Sequence, residues 1–237
     1  MPAFDCHNGG MDVEYRAALL AFERAYGAVG ELAAGVSRAD LLAFSRCRGW
    51  VVVDVLFHVL CDAQRALVAL ASPAPGPPDR DFVSYWTAFA FEADNSAAAA
   101  WWVRRSAAAF RDGTGVVALW QETAPAAVRA AERADPDGYI ATQGHVLTVA
   151  DFLATLATEA VIHHLDMTVH LPTAPSPDPH AVALATRTLD GLLGPGASRP
   201  EEWPAEEYLL KGTGRLPLSA RDRGTLAEAA DRFPLLS

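Results

Sequence analysis

Lysine is all but missing from this chain: Lys211 is the only one, and every other fixed positive charge is an arginine. Alanine is abundant, a composition that suggests a GC-rich genome. Cysteine is scarce too. Cys6, Cys47 and Cys61 are odd in number and follow no CxxC spacing, which leaves no disulfide framework and no zinc ribbon and suits a reducing compartment. No stretch of eighteen uncharged apolar residues exists, so a membrane span is not expected. Met1–Asp12 holds neither a basic n-region nor an apolar h-region, so the sequence is read as cytoplasmic. A net charge of −10 offers no basic face for phosphate and argues against nucleic acid as a partner. An anionic small substrate stays open, because a metal or a local arginine can reverse the sign inside a pocket. There is no GxSxG, no P-loop and no dinucleotide fingerprint, which removes several large enzyme classes.

What is present is helical. With 51% apolar and 20% charged residues, 237 residues suffice for one large globular domain or a domain with a small appendage. Asp12 is placed to cap a helix to about Ala34, with Tyr15, Leu19, Phe22, Tyr26 and Val29 at three- and four-residue steps. Ser37 caps a short turn, a second helix covers about Val51 to Ala71, and a proline-rich run from Ser72 to Pro78 ends it. Further helices are expected over Ala97–Arg111 and Val116–Arg133, then a loop with an extended segment from Asp135 to Leu147. Thr148 caps a long helix, with Asp151 three residues on in a capping-box-like position. Residues 1–171 thus form a bundle, 172–179 a proline-rich linker, and 180–237 a small α+β region. In the last, Glu207–Leu210 and Arg215–Leu218 could pair as short strands, and Ser219 caps a final helix.

Two segments almost a hundred residues apart carry the chemistry. His58 sits inside the apolar run Gly49–Cys61, and Glu159 and His163 are spaced i, i+4 in Thr158–Asp166. That spacing stacks two side chains on one helix face, roughly 6 Å apart. A carboxylate among Ala154, Leu156, Val161 and Ile162 is costly to bury without a partner. If His58 faces the pair across a bundle, two imidazoles and a carboxylate form a divalent-metal site with positions left open. A Glu–His hydrogen bond without an ion is the plainer alternative, and a lone histidine on an apolar face is more often a core residue. His164 points about 100° away from His163. Asp166 is read as an acceptor orienting a ligand imidazole or as a surface charge, and Asp62 as the reserve carboxylate. Cys61 is read as a buried structural thiol, His145 as a candidate pocket lining, and Trp50 with the Trp101–Trp102 pair as core or pocket wall. Arg215, after Gly212-Thr213-Gly214, offers a guanidinium fork suited to a carboxylate, or is an exposed turn residue.

Arg48-Gly49-Trp50-Val51-Val52-Val53-Asp54-Val55-Leu56-Phe57-His58 resembles the P-G-W-T-V-x-D-x-x-x-H signature of mycothiol-dependent maleylpyruvate isomerase-like proteins. Glu159-Ala160-Val161-Ile162-His163-His164-Leu165-Asp166 resembles their E-x-x-x-H-x-x-D segment, and Gly212–Leu218 their end segment. Arg48 stands where many relatives have proline. The resemblance implies a mainly α fold: a DinB-like four-helix bundle of the DinB/YfiT-like superfamily with a small C-terminal α+β appendage. It implies a divalent metal, usually zinc, on His58, Glu159 and His163, with mycothiol or bacillithiol as cosubstrate and Arg215 as the catalytic arginine. The expected function is a metal- and thiol-dependent S-transferase or isomerase acting on a small electrophile. The alternative is a non-catalytic metal- or small-molecule-binding bundle, as in a sensor or resistance protein. Neither nucleic acid nor a membrane is expected as a partner, and the state is monomer or homodimer.

Overall fold

The computed structural model describes residues 13–88 and 93–236, with only the backbone over 93–96. Helix α1 spans Tyr15–Gly35; Asp12, expected to cap it, lies outside the described residues. Helix α2 spans Val52–Leu70, α3 Ser84–Thr87, α4 Ala93–Ala107, α5 Thr114–Glu132 and α6 Val149–Thr168. Four of these make a bundle: α1 packs on α5 and α6, and α2 packs on the same two. The face that α1 buries is the one its periodicity announces, from Ala18 and Phe22 through Tyr26 and Val29 to Leu32. Helix α6 is buried almost all round and is the bundle's central element. Thr148 caps it as expected: its Oγ1 accepts from the Asp151 N–H at 3.0 Å. The Asp151 carboxylate reaches outward to the Phe82 N–H at 3.1 Å.

The extended segment is a hairpin. Strands β2 (Tyr139–Thr142) and β3 (His145–Thr148) run antiparallel, and β1 (Pro73–Ala74) pairs with β2. Gln143 and Gly144 both take positive φ, the demand of a tight two-residue hairpin turn, and Gly144 meets it without a side-chain penalty.

Beyond the proline-rich stretch, α7 (Pro179–Leu193) packs on α1 and α6, and α8 (Ala205–Gly212) packs on α7. The strands expected here do not form. Glu207–Leu210 lies within α8, where Tyr208, Leu209, Leu210 and Lys211 are all buried, so the run carries no one-sided helical stripe. Arg215–Leu218 is irregular: the Arg215 and Leu216 N–H groups both turn back to the Leu210 carbonyl. Helix α9 (Ala220–Leu226) begins at the Ser219 cap, in a reciprocal box with Asp222. The sole lysine is locked inside this region. Lys211 Nζ donates to Asp222 (2.7 Å) and Glu207 (2.6 Å) and lies 4.2 Å from the centre of the Trp203 ring. Trp203 Nε1 donates to the other Asp222 oxygen at 3.1 Å.

Candidate metal centre

Gly49, at φ +79°, turns the chain into α2, and the Asp54 carboxylate accepts the Val51 N–H at 3.0 Å. Just ahead of that turn, Phe44 bridges to Val51, and the Arg46 N–H donates to the Asp166 carbonyl at 3.0 Å. The loop is thereby pinned against the C-terminal turns of α6. His58, two turns into α2, then faces Glu159 and His163 on α6. The ligand atoms of these three side chains all lie within 4.8 Å of one another. His163 Nε2 is 3.2 Å from Glu159 Oε2, and the two imidazoles meet edge to face with centroids 4.8 Å apart.

The other side of the His163 ring is equally well defined. Its Nδ1 lies 2.9 Å from Asp166 Oδ2, and Asp166 is fully buried. Arg215 Nη2 donates to Asp166 at 2.9 Å and its Nε at 3.1 Å, while Nη1 donates to the Thr213 carbonyl. Cys47 Sγ donates to the same carboxylate at 3.1 Å and lies 3.8 Å from His163 Nδ1.

Burial, reinforced by the charge on His163, lowers the His58 pKa to about 4, so its imidazole is neutral at pH 7. Burial works against a charged His163 as well, but hydrogen bonds to Asp166, Cys47 and Glu159 overcome it and hold that ring protonated well above the usual histidine range. Burial likewise opposes charge on Glu159 and Asp166, and the His163 hydrogen bonds and neighbouring positive charges outweigh it, keeping both ionised. Asp62 is pushed the other way by burial and by the Glu159 charge. Its Oδ2 is 4.0 Å from His58 Nε2 and has no hydrogen-bond partner, while Arg65 holds Oδ1 at 3.3 Å.

The donor set fits a divalent cation. With the Nδ1–H held by Asp166, a cation would replace the proton on Nε2 and take the lone pair that faces Glu159 and His58, the arrangement metal-ligating histidines adopt. A second triad, Cys47, His163 and Asp166, is also compact enough to hold an ion. It fits less well, because Arg215 already occupies both Asp166 oxygens, and a cation there would have to displace a guanidinium.

Other residues singled out in the sequence fall elsewhere. His164 is buried with Nε2 2.8 Å from the Pro175 carbonyl, tying the proline-rich stretch to α6. His145 pairs with Asp79 at 3.0 Å beside the hairpin. Cys61 is half-buried. Trp101 and Trp102, read as core or pocket wall, are not core: they are 63% and 56% exposed, Trp101 lining a surface groove beside Leu42 and Trp102 lying 5.9 Å from the Phe57 ring of α2. Cys47 was not anticipated, since nothing in a lone loop cysteine announces which carboxylate it will meet. A groove of about 890 Å³ between α1, α5 and the proline-rich stretch is lined by none of the candidate ligands.

The family model of the mycothiol maleylpyruvate isomerase N-terminal domain matches residues 22–168. The chain belongs to this family. The match runs from within α1 to the end of α6 and so takes in every helix of the bundle and all three candidate ligands. No curated protein and no solved structure matches the chain. In this member of the mycothiol maleylpyruvate isomerase family, the match ends before Arg215, the residue that closes over Asp166 from outside the matched domain.

Proposed function

We propose that the protein is a metal-dependent S-transferase or isomerase that uses a low-molecular-weight thiol of the mycothiol type on a small electrophile. The observation that carries this reading is the convergence of His58, Glu159 and His163, with the His163 ring fixed from behind by Asp166. These three residues would hold the ion, zinc being the divalent metal that best suits two imidazoles and a carboxylate. When bound, such an ion supplies a thiol ligand position and a lowered thiol pKa.

The chain's own residues do the rest. His58 and His163 are oriented by their neighbours before any ligand arrives, so little is lost to reorganisation. Arg215, held by Asp166 and Thr213, carries a fixed positive charge behind His163, and on this reading it would steady a carbonyl or carboxylate on the substrate. Thiolate addition to an activated double bond forms a C–S bond and breaks the π bond. Rotation followed by C–S cleavage isomerises the substrate, while protonation of the neighbouring carbon leaves a conjugate.

The test is metal analysis of untagged protein, wild type beside His163→Ala, followed by thiol-dependent consumption of crotonaldehyde with mycothiol. About one ion per chain together with consumption above the uncatalysed rate supports the reading. Metal loading without any consumption assigns the bundle to the binding proteins instead. A chain that takes up no zinc, nickel or manganese removes the chemical basis of both.

A further inference from the structure

Trp120, on α5, is completely buried, and its indole N–H has no hydrogen-bond acceptor. Buried donors are nearly always paired, so this one marks a place where an acceptor belongs. Its Nε1 lies against α1 at a point where α1 carries no side chain. A Cβ on Gly30 would sit 3.5 Å from Trp120 Nε1 and meet nothing else beyond its own stretch of helix. A Cβ on Gly27, one turn earlier, would meet nothing within 4 Å. Trp120, Gly27 and Gly30 all line the groove of about 890 Å³, a volume in the range that holds a small organic molecule. Ala124, Pro125 and Val128 of α5 form the facing wall, so the middle of the groove is smooth and apolar.

The groove is polarised along its length. The Tyr15 hydroxyl donates to the Ala131 carbonyl at 2.6 Å, whereas Gly30 sits against Trp120, so α1 and α5 run antiparallel. Arg24 and Arg129 therefore fall at the same end, beside Glu23, and neither makes an ion pair among the described residues. Glu31, Ser176 and Asp178 lie at the other end. Six residues of α1 separate Arg24 from Gly30, a rise of about 9 Å.

We infer that this groove binds a small carboxylate with a flat apolar body and a carbonyl at its far end. The carboxylate lies on Arg24 and Arg129, the body over Gly27, and the carbonyl oxygen on the Trp120 N–H. A guanidinium fork fits a carboxylate, and the acids at the opposite end set the direction in which the molecule lies. Walls of glycine and alanine admit a flat body without displacing any side chain. None of His58, Glu159 and His163 lines the groove, so the site is separate from the candidate metal centre and the inference does not depend on the thiol-transfer reading.

The probe is 4-acetylbenzoate, whose carboxylate and ketone sit at opposite ends of one ring, titrated calorimetrically into the full chain. Benzoate, which lacks the ketone, and methyl 4-acetylbenzoate, which lacks the charge, serve as comparisons. Gly30→Ala places a methyl over the indole N–H at ordinary contact distance, and alanine is the better helix former, so this variant folds at least as well as the wild type. It should weaken 4-acetylbenzoate about tenfold, the worth of one buried hydrogen bond, and leave benzoate unchanged. Arg24→Gln/Arg129→Gln should weaken both acids about tenfold and leave the methyl ester unchanged. The Trp120 indole N–H resonance, assigned from Trp120→Phe, should move on titration with 4-acetylbenzoate and stay still with benzoate. His163→Ala should bind the probe as the wild type does. No binding of 4-acetylbenzoate by the wild type overturns the proposal, as does equal affinity in Gly30→Ala. Binding lost in His163→Ala also overturns it, because the probe would then sit at the metal centre. So does a wild-type dimer in sedimentation that Gly30→Ala dissolves, since the groove would then be a contact between copies.

Discussion

Two buried ionic clusters among the described residues are built to opposite plans. Around Lys211, the cation is fully spoken for: two carboxylates take its protons, the Trp203 ring lies under it, and Asp222 spends its remaining capacity on Trp203 and the Ser219 cap. Around His163 only the rear is closed. Asp166 is saturated by His163, Arg215 and Cys47, yet the front presents a neutral His58, an ionised Glu159 and an Asp62 oxygen without a hydrogen-bond partner. A closed cluster holds structure together, whereas one closed on a single side leaves its remaining donor atoms free to take a ligand.

The sharpest way to break the comparison is His163→Ala. It removes the shared hinge of the site and should take metal content from about one ion per chain to near none by elemental analysis, with helical content retained by circular dichroism. Lys211→Met should do the reverse. It leaves Asp222 buried without its cation, at a cost of about 3–5 kcal/mol read as a lower denaturant midpoint, while metal affinity stays as in the wild type. Loss of metal in that variant would show that the two clusters are not separate devices. Asp166→Asn lies between them. Its amide cannot replace the charge that orients His163 and receives Arg215, so metal affinity should fall about 10–100-fold in a chelator competition.

The smallest effect concerns pH in the metal-free protein. With the His58 pKa lowered from the ordinary value to about 4, the unfolded chain takes up a proton near pH 6.5 that the folded chain refuses. Stability therefore drops as pH falls from 6.5 towards 4, by on the order of 2 kcal/mol for a partly exposed ring. His163 adds no slope in that window, because its raised pKa contributes fully below 6.5 and is lost only as pH rises through the folded value. Asp62, raised by burial, slopes the opposite way, so the prediction is a difference: His58→Gln should lack the acid-side loss that the wild type shows. The Lys211 cluster should be silent there, since Asp222 is held below the usual carboxylate range and loses its pairing only as pH falls through that low value. Midpoints at pH 6.5, 5.5 and 4.5 decide it.

The sequence was informative where chemistry repeats on a helix and uninformative where the chain doubles back. Glu159 and His163 share a face by spacing alone, and the Thr148 cap and both bundle helices around His58 follow from periodicity and punctuation. Asp166 was legible in part: of its two readings, the acceptor for a ligand imidazole is the one the structure shows, through an i, i+3 contact with His163 on the same helix. Its other partners were not, because Cys47 and Arg215 reach it from a loop and a C-terminal turn, brought together by tertiary packing that leaves no local pattern. The short strands expected near Tyr208 failed because the unbroken buried run from Tyr208 to Gly212 blurs the period that separates helix from strand. Trp101 and Trp102 were read as core or pocket wall, and it is the arrangement of neighbours, invisible in one dimension, that keeps them out of the core.

The burial of Lys211 has a consequence for handling the protein. It is the only side-chain amine in the sequence and is 8% exposed, so an amine-directed label or crosslinker finds no accessible lysine on the folded chain. A side chain that becomes labelled at position 211 therefore reports that helices α8 and α9 have come apart. Read by mass spectrometry over time, that one modification is a clock for opening of the C-terminal region, independent of anything happening at the candidate metal ligands.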